Sequence, residues 1–221
     1  MGTHGKPELG CFFVLEGIEG VGKTTQLDRL TSFVHKTTAA RGQELVITRE
    51  PGGTPLGEAL RELLLRTDIP AMAAETELML MFAARAEHVD KVIRPALERG
   101  AIVISDRFVD ATWAYQGGGR GLADEHIAAL ERLALGDTRP DLVLILDADP
   151  ELALARVNDR GESDRFERER LAFFSAVRAR YLARAAAEPD RYAVIDAARS
   201  PDQVAAEIET RIANRLEGIP A

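Results

Sequence analysis

At 221 residues, with 46% hydrophobic and 29% charged side chains, the chain has the composition of one globular domain able to bury a substantial core. Its formal net charge of −8 excludes a protein that coats nucleic acid, which needs a basic surface, but permits a small anion held by local arginines. The lone cysteine, Cys11, has no partner for an intrachain disulfide, and His4, His35, His88 and His126 lack metal-ligand spacing. No apolar run is long enough to span a bilayer, and residues 1–9 lack the apolar core of a signal peptide. They are read as a flexible leader on a cytoplasmic protein, with no membrane partner expected.

In chain order, 10–221 reads as one α/β domain. Apolar runs of strand length occupy 11–16 (CFFVLE), 44–48 (ELVIT), 101–105 (AIVIS), 142–146 (LVLIL) and 192–196 (YAVID). Those at 101–105 and 142–146 are almost wholly apolar, as parallel strands covered on both faces require. Helix-period segments lie between them. Leu27, Leu30, Phe33 and Val34 mark a first face, ended by Gly42. Residues 75–99 predict a long helix that Pro95 kinks or ends early. Ile127, Leu130 and Ala134 form a stripe closed by Gly136, and Leu171, Phe174, Val177 and Tyr181 form another. The last helix carries a capping box, Ser200 with Gln203, then the seam Val204, Ile208, Ile212 and Leu216. This alternation predicts a five-stranded parallel sheet flanked by helices on both faces.

Gly17-Ile18-Glu19-Gly20-Val21-Gly22-Lys23-Thr24 follows the first strand and opens a helix, the setting a phosphate-binding loop requires. Its glycines let backbone N–H groups turn inward on a nucleotide phosphate, aided by the start of the helix at Thr24 and Thr25. Lys23 can reach the β- and γ-phosphates of ATP, and the Thr24 hydroxyl can ligate Mg²⁺. Arg49 and Arg107 each end a strand, where an open α/β sheet places its ligand crevice. Planar guanidinium groups in such a pair suit a dianionic monophosphate, although each alone could be a surface ion pair. Asp106, ending its strand, can hold Mg²⁺ through water. No general base is evident, and an already ionised phosphate oxygen needs none.

Residues 156–170 are dense in both charges and are broken at Gly161 and Ser163. They read as a lid at about 156–168 whose Arg160, with Arg165 and Arg156, supplies charge that the phosphate loop lacks; a solvated helix face laced with ion pairs is the alternative.

GIEGVGKTT, TREPGGT, FAAR (82–85), SDRF and AYQGGGR (114–120), in this order, closely resemble the bacterial thymidylate kinases, in the subclass with its catalytic arginine in the lid. The resemblance runs from about residue 10 to the last helix and implies the P-loop nucleoside-monophosphate-kinase fold and transfer of the γ-phosphoryl group of MgATP to dTMP, giving dTDP and ADP. It further implies that Phe82 stacks on thymine, Arg85 hydrogen-bonds the base, Thr112 takes a base-contacting position where the family varies, and Gln116 sits near Tyr115. Tyr115 would lie against the sugar, Glu19 near the 3′-hydroxyl and Arg107, and Arg49 and Arg107 would take the acceptor phosphate, with Pro51 also in the substrate site. The family is homodimeric, so the resemblance implies a homodimer, for which the helix at 75–99 is a candidate interface element. Phe108 stands where the family commonly has tyrosine, Met79 and Met81 are read as core, and 117–119 could be no more than a flexible turn. A kinase for another nucleotide or nucleoside, and a nucleotide-driven switch, remain the rival readings.

Overall fold

The computed structural model describes residues 10–39, 42–68, 70–158, 165–166 and 169–217; the leader at 1–9 and Arg160 lie outside them. Among the described residues, strands β1 (Cys11–Glu16), β2 (Leu45–Arg49), β3 (Ile102–Asp106), β4 (Leu142–Asp147) and β5 (Tyr192–Asp196) form one parallel sheet, ordered β2-β3-β1-β4-β5. Position explains composition. All six residues of central β1 are buried, as are most of β3 and β4, whereas edge strands β2 and β5 alternate with exposed positions such as Ile47 and Val194. Register pairs Arg49 with Asp106 and Leu15 with Asp106, so the carboxyl ends of three strands meet at one edge, where the sheet's connections part to either side.

Helices α1 (Lys23–Ala39), α2 (Pro55–Leu65), α3 (Ala74–His88), α4 (Arg94–Glu98), α5 (Val109–Thr112), α6 (Asp124–Leu135), α7 (Pro150–Asn158), α8 (Leu171–Ala187) and α9 (Pro201–Glu217), with two π-helical stretches, complete the described elements. In α1 the buried positions are Gln26, Leu30, Val34 and Thr38, one every four residues. In α8, Phe174, Val177 and Tyr181 are buried as the stripe requires, while Leu171 is exposed. The α9 capping box forms: Ser200 Oγ accepts from Gln203 N, and Ser200 N donates to Gln203 Oε1.

Two π-helical stretches depart from the sequence expectation. The helix over 75–99 does not stop at Pro95; α3 widens through Val89–Ile93, and Arg94 N donates to Val89 O five residues back. Pro95 then falls in the first turn of α4, where its missing N–H costs nothing. Trp113–Gly119 likewise continues α5 as a π-helix rather than a flexible turn. A Cβ on Gly119 would stand 2.3 Å from the Phe173 ring, and one on Gly118 2.8 Å from Ala176 O, so these glycines admit α8. Among the described residues no helix is long and apolar enough to cross a membrane.

Candidate active site

Between the end of β1 and the start of α1 the chain reverses within residues 17–22. Gly17, Gly20 and Gly22 take φ values of 137°, 77° and 91°, conformations other residues reach only with strain. Gly20 also meets a second constraint, since a Cβ there would lie 2.0 Å from Ala153 O of α7. Buried Ile18 and Val21 anchor the loop to the core. Lys23 Nζ donates to Gly17 O and Ile18 O, each at 2.9 Å, arching the side chain over the loop. Withdrawal from water, and next the Arg107 charge, pull the Lys23 ammonium down to about 8.

Facing the loop, Arg107 holds a left-handed φ of 69°. Its Nη1 donates to Gly17 O at 3.0 Å and Tyr181 Oη at 3.2 Å, and its Nη2 to Glu19 Oε1 at 2.8 Å and Tyr115 Oη at 3.2 Å. Tyr115 Oη in turn donates to Glu19 Oε2 at 2.5 Å. Beneath this turn lies Glu16, fully buried, whose carboxyl accepts from Phe108 N (2.8 Å), Ala111 N (3.2 Å) and Tyr181 Oη (2.7 Å). Those bonds fix the backbone that carries Asp106 and Arg107. Burial, then the nearby Asp110, push the Glu16 carboxyl up to about 7.

Asp106 Oδ1 is buried and makes no hydrogen bond among the described residues, although Asp106 and Thr24 line the same cavity. An orphaned carboxylate oxygen lining the same cavity as a threonine hydroxyl fits a hydrated divalent cation. Among the described residues no cluster of three or more His, Cys, Asp or Glu side chains could hold a metal unaided, so such a cation would complete its shell with water and nucleotide oxygens.

The cavity, about 460 Å³, runs from the phosphate loop to a polar inner end built by Arg85, Thr112 and Gln116. Arg85 is buried and fixed on three sides: Nε donates to Glu50 Oε2 (2.7 Å), Nη1 to Thr112 Oγ1 (2.9 Å) and Nη2 to Phe108 O (3.0 Å). Its guanidinium lies 4.9 Å from the Phe82 ring. Glu50 is in turn held by His88 Nδ1 at 2.9 Å, and His88 Nε2 meets Thr48 Oγ1 at 2.6 Å.

Most residues expected from the sequence thus converge: Glu19, Gly20, Gly22, Lys23, Thr24, Thr25, Pro51, Arg85, Asp106, Arg107, Thr112, Tyr115, Gln116 and Arg156 all line this cavity. Six other expected residues among those described do not line it: Gly17, Ile18 and Val21 form the loop without reaching the cavity wall, and Arg49, Phe82 and Arg165 lie elsewhere. Arg49 is half exposed off the cavity wall and bonds Glu58 Oε2 at 2.8 Å. Phe82 is buried in the core beneath Arg85 rather than lining the cavity, whereas Met81, read as core, lines it. Arg165 faces the inner end instead of the phosphate loop, pairing with Glu77 Oε2 at 2.7 Å and donating to Leu64 O at 2.9 Å.

Sequence reasoning missed Arg61, which lines the cavity and donates to Pro51 O at 3.0 Å. Burial, then the Arg49 charge, lower its pKa, with Arg107 adding a smaller push in the same direction. Its signal was the helix start: Thr54 caps α2 through Gly57 N at 2.9 Å, and Pro55 opens the helix, which phases Arg61 back over the 51–53 turn. Buried Glu50, Glu77 and His88 carried no signal beyond their residue types.

A family model described as thymidylate kinase matches residues 15–208. The thymidylate kinase of Pseudomonas syringae pv. syringae is 54% identical over 208 residues, covering 94% of this chain and 97% of the relative. That of Hahella chejuensis is 50% identical over 209 residues, covering 95% and 99%. The crystal structure of thymidylate kinase from Ehrlichia chaffeensis matches with a TM-score of 0.75 at 33% identity, covering 92% of this chain and 98% of that one. Likeness of this extent, over a chain whose phosphate loop opens onto a cavity with a polar inner end, leads to one assignment: this chain belongs to the thymidylate kinase family, ATP-dependent nucleoside-monophosphate kinases that convert dTMP to dTDP.

Proposed function

We propose that the cavity holds both nucleotides end to end, the ATP phosphates on the loop at 17–25 and dTMP with its base at the inner end. One observation carries this reading: a single cavity joins Lys23 and Thr24 at one end to Arg85, Thr112 and Gln116 at the other, with Arg107 and Arg61 between. In this arrangement Lys23 and the loop's N–H groups bind the donor phosphates. Thr24 and Asp106 would hold Mg²⁺, which when bound would neutralise phosphate charge. Arg107 and Arg61 grip the acceptor phosphate, and Arg49 joins them if it leaves Glu58. Arg85 donates to the base, Phe82 supports it from below, Tyr115 lies against the sugar and Glu19 receives the 3′-hydroxyl. The acceptor oxygen is already ionised, so these groups align the reactants and balance charge without removing a proton.

Arg160 and Arg156 of the lid at about 156–168 complete the charge around the transferring group in this reading, within a single kinase domain spanning 10–221 that acts in the cytoplasm. We further propose a homodimer. Helix α3 packs between α2 and α6, and the three carry exposed Leu56, Leu63, Met79 and Leu133. ADP release, coupled to a colour reaction, should depend on dTMP and fall progressively with dUMP, dCMP, UMP and thymidine. Equal turnover without any monophosphate would remove the acceptor site; preference for UMP would remove the base and sugar assignments. Sedimentation gives the oligomeric state directly.

A further inference from the structure

The inner end of the cavity contains a polarity that the residue types alone do not determine. Gln116 is 1% exposed and lines the cavity, and its carboxamide could point either its oxygen or its NH₂ at a bound base. Nε2 donates to Glu77 Oε1 at 2.8 Å, and Glu77 is completely buried. Arg120 flanks the same carboxyl, with Nε 3.3 Å from Oε1 and Nη2 3.3 Å from Oε2, and Arg165 Nη2 lies 2.7 Å from Oε2. A carboxylate between two guanidinium groups only accepts hydrogen bonds, so it captures the NH₂ and leaves Gln116 Oε1 without a partner among the described residues. Arg85 is locked as a donor by Glu50 in the same way.

From this juxtaposition we infer that Glu77 is a positioning residue that sets the polarity of Gln116, so that the inner end offers one donor, from Arg85, and one acceptor, Gln116 Oε1. That pair matches a pyrimidine with a 4-oxo acceptor and an N3–H donor. It opposes a 4-amino pyrimidine, whose N3 accepts and whose amino group donates. Glu77 thereby rejects cytosine-type acceptors without touching them, because a wrongly poled buried pair costs more than a missing contact. The inference rests on the proposal that the acceptor base lies against Arg85 and Gln116.

The test uses dTMP and 5-methyl-dCMP, which share the methyl group and sugar phosphate and differ only in the 4-substituent and N3. The readout is the ratio of their kcat/KM values. In Glu77→Gln, a neutral amide faces Gln116 and no longer fixes its polarity; the ratio should narrow by about tenfold to a hundredfold, the range of one buried hydrogen-bond mismatch. Glu77→Asp keeps the negative charge for Arg120 and Arg165 while withdrawing it from Gln116, and serves if the glutamine variant does not fold. A purely structural Glu77 would lower both substrates together and leave the ratio unchanged, which overturns the inference. Gln116→Met tests the underlying reading separately. If it leaves the ratio unchanged, Gln116 does not face the base and the acceptor-site reading fails. If it narrows the ratio while both Glu77 variants do not, only the role of Glu77 fails.

Discussion

Replacing Arg107 by alanine removes the side chain that bridges the phosphate loop to the acceptor half of the cavity. In the free enzyme its four hydrogen bonds reach Gly17 O, Tyr181 Oη, Glu19 Oε1 and Tyr115 Oη. Two planar contacts to an acceptor phosphate, at about 1.5–3 kcal/mol for each charge-assisted hydrogen bond, amount to about 3–5 kcal/mol of transition-state stabilisation once the lost Glu19 contact is offset. The kcat/KM for dTMP should therefore fall by about a hundredfold to a thousandfold or more. The loss exceeds that of a simple contact because Glu19, deprived of its partner, adds a carboxylate beside a dianion. The KM for ATP should change by less than about threefold, since the donor side retains Lys23 and its loop. The measurement is coupled ADP release with dTMP varied at saturating ATP, then the reverse, with folding checked by circular dichroism. A folded variant whose dTMP kinetics stay within about threefold of the parent would show that the acceptor phosphate lies elsewhere. Arg107→Lys, a point charge without the fork, should recover only part of the loss.

Three further outcomes follow from the same geometry. Because the Lys23 ammonium is pulled down to about 8, the free enzyme loses that charge as pH rises through this value; kcat/KM for ATP should decline above pH 8, as read from steady-state profiles. The Glu16 carboxyl is raised from 4.5 to about 7, so the folded protein binds this proton more tightly than the unfolded chain. Its contribution to stability is complete below about 4.5 and is lost as pH climbs toward 7. Glu16→Gln mimics the protonated form permanently, and its Tm should gain on that of the parent across that window in differential scanning fluorimetry; a constant gap would contradict the assignment. Gly20→Ala places a Cβ 2.0 Å from Ala153 O at a φ of 77°, and should cost about 2 kcal/mol or more in urea denaturation, with ATP use impaired.

The sheet was legible because buried parallel strands leave near-continuous apolar runs. β1 and β5 match their predicted bounds, β2 and β3 are each shifted one residue toward the C-terminus, and β4 runs one residue longer. The phosphate loop was legible because its conformation demands glycine at fixed intervals. The α3 stretch was not, because a π-turn that accommodates Pro95 leaves no mark on apolar spacing. At the site, sequence placed Arg107, Arg85 and Gln116 but could not rank arginines by where they point. Arg49 and Arg61 are both plausible anion ligands as letters; only the phase of α2 directs Arg61 to the cavity while Glu58 holds Arg49 at the rim. Arg165 illustrates the same difficulty, since its ion pair with Glu77 depends on a partner 88 positions earlier in the sequence.

The left-handed backbone at Arg107 places two demands on one position. Glycine would adopt a φ of 69° freely, and a side chain there carries a conformational cost of order 1 kcal/mol. The residue that suits the turn best has no guanidinium, and the residue that supplies the guanidinium distorts the turn. Glu16, Tyr181 and the Phe108 amide form the clamp that enforces this compromise. Relaxing it by Arg107→Gly would ease the backbone but forfeit four hydrogen bonds and leave Glu19 without its ion-pair partner, so the same guanidinium that strains the turn also holds it closed.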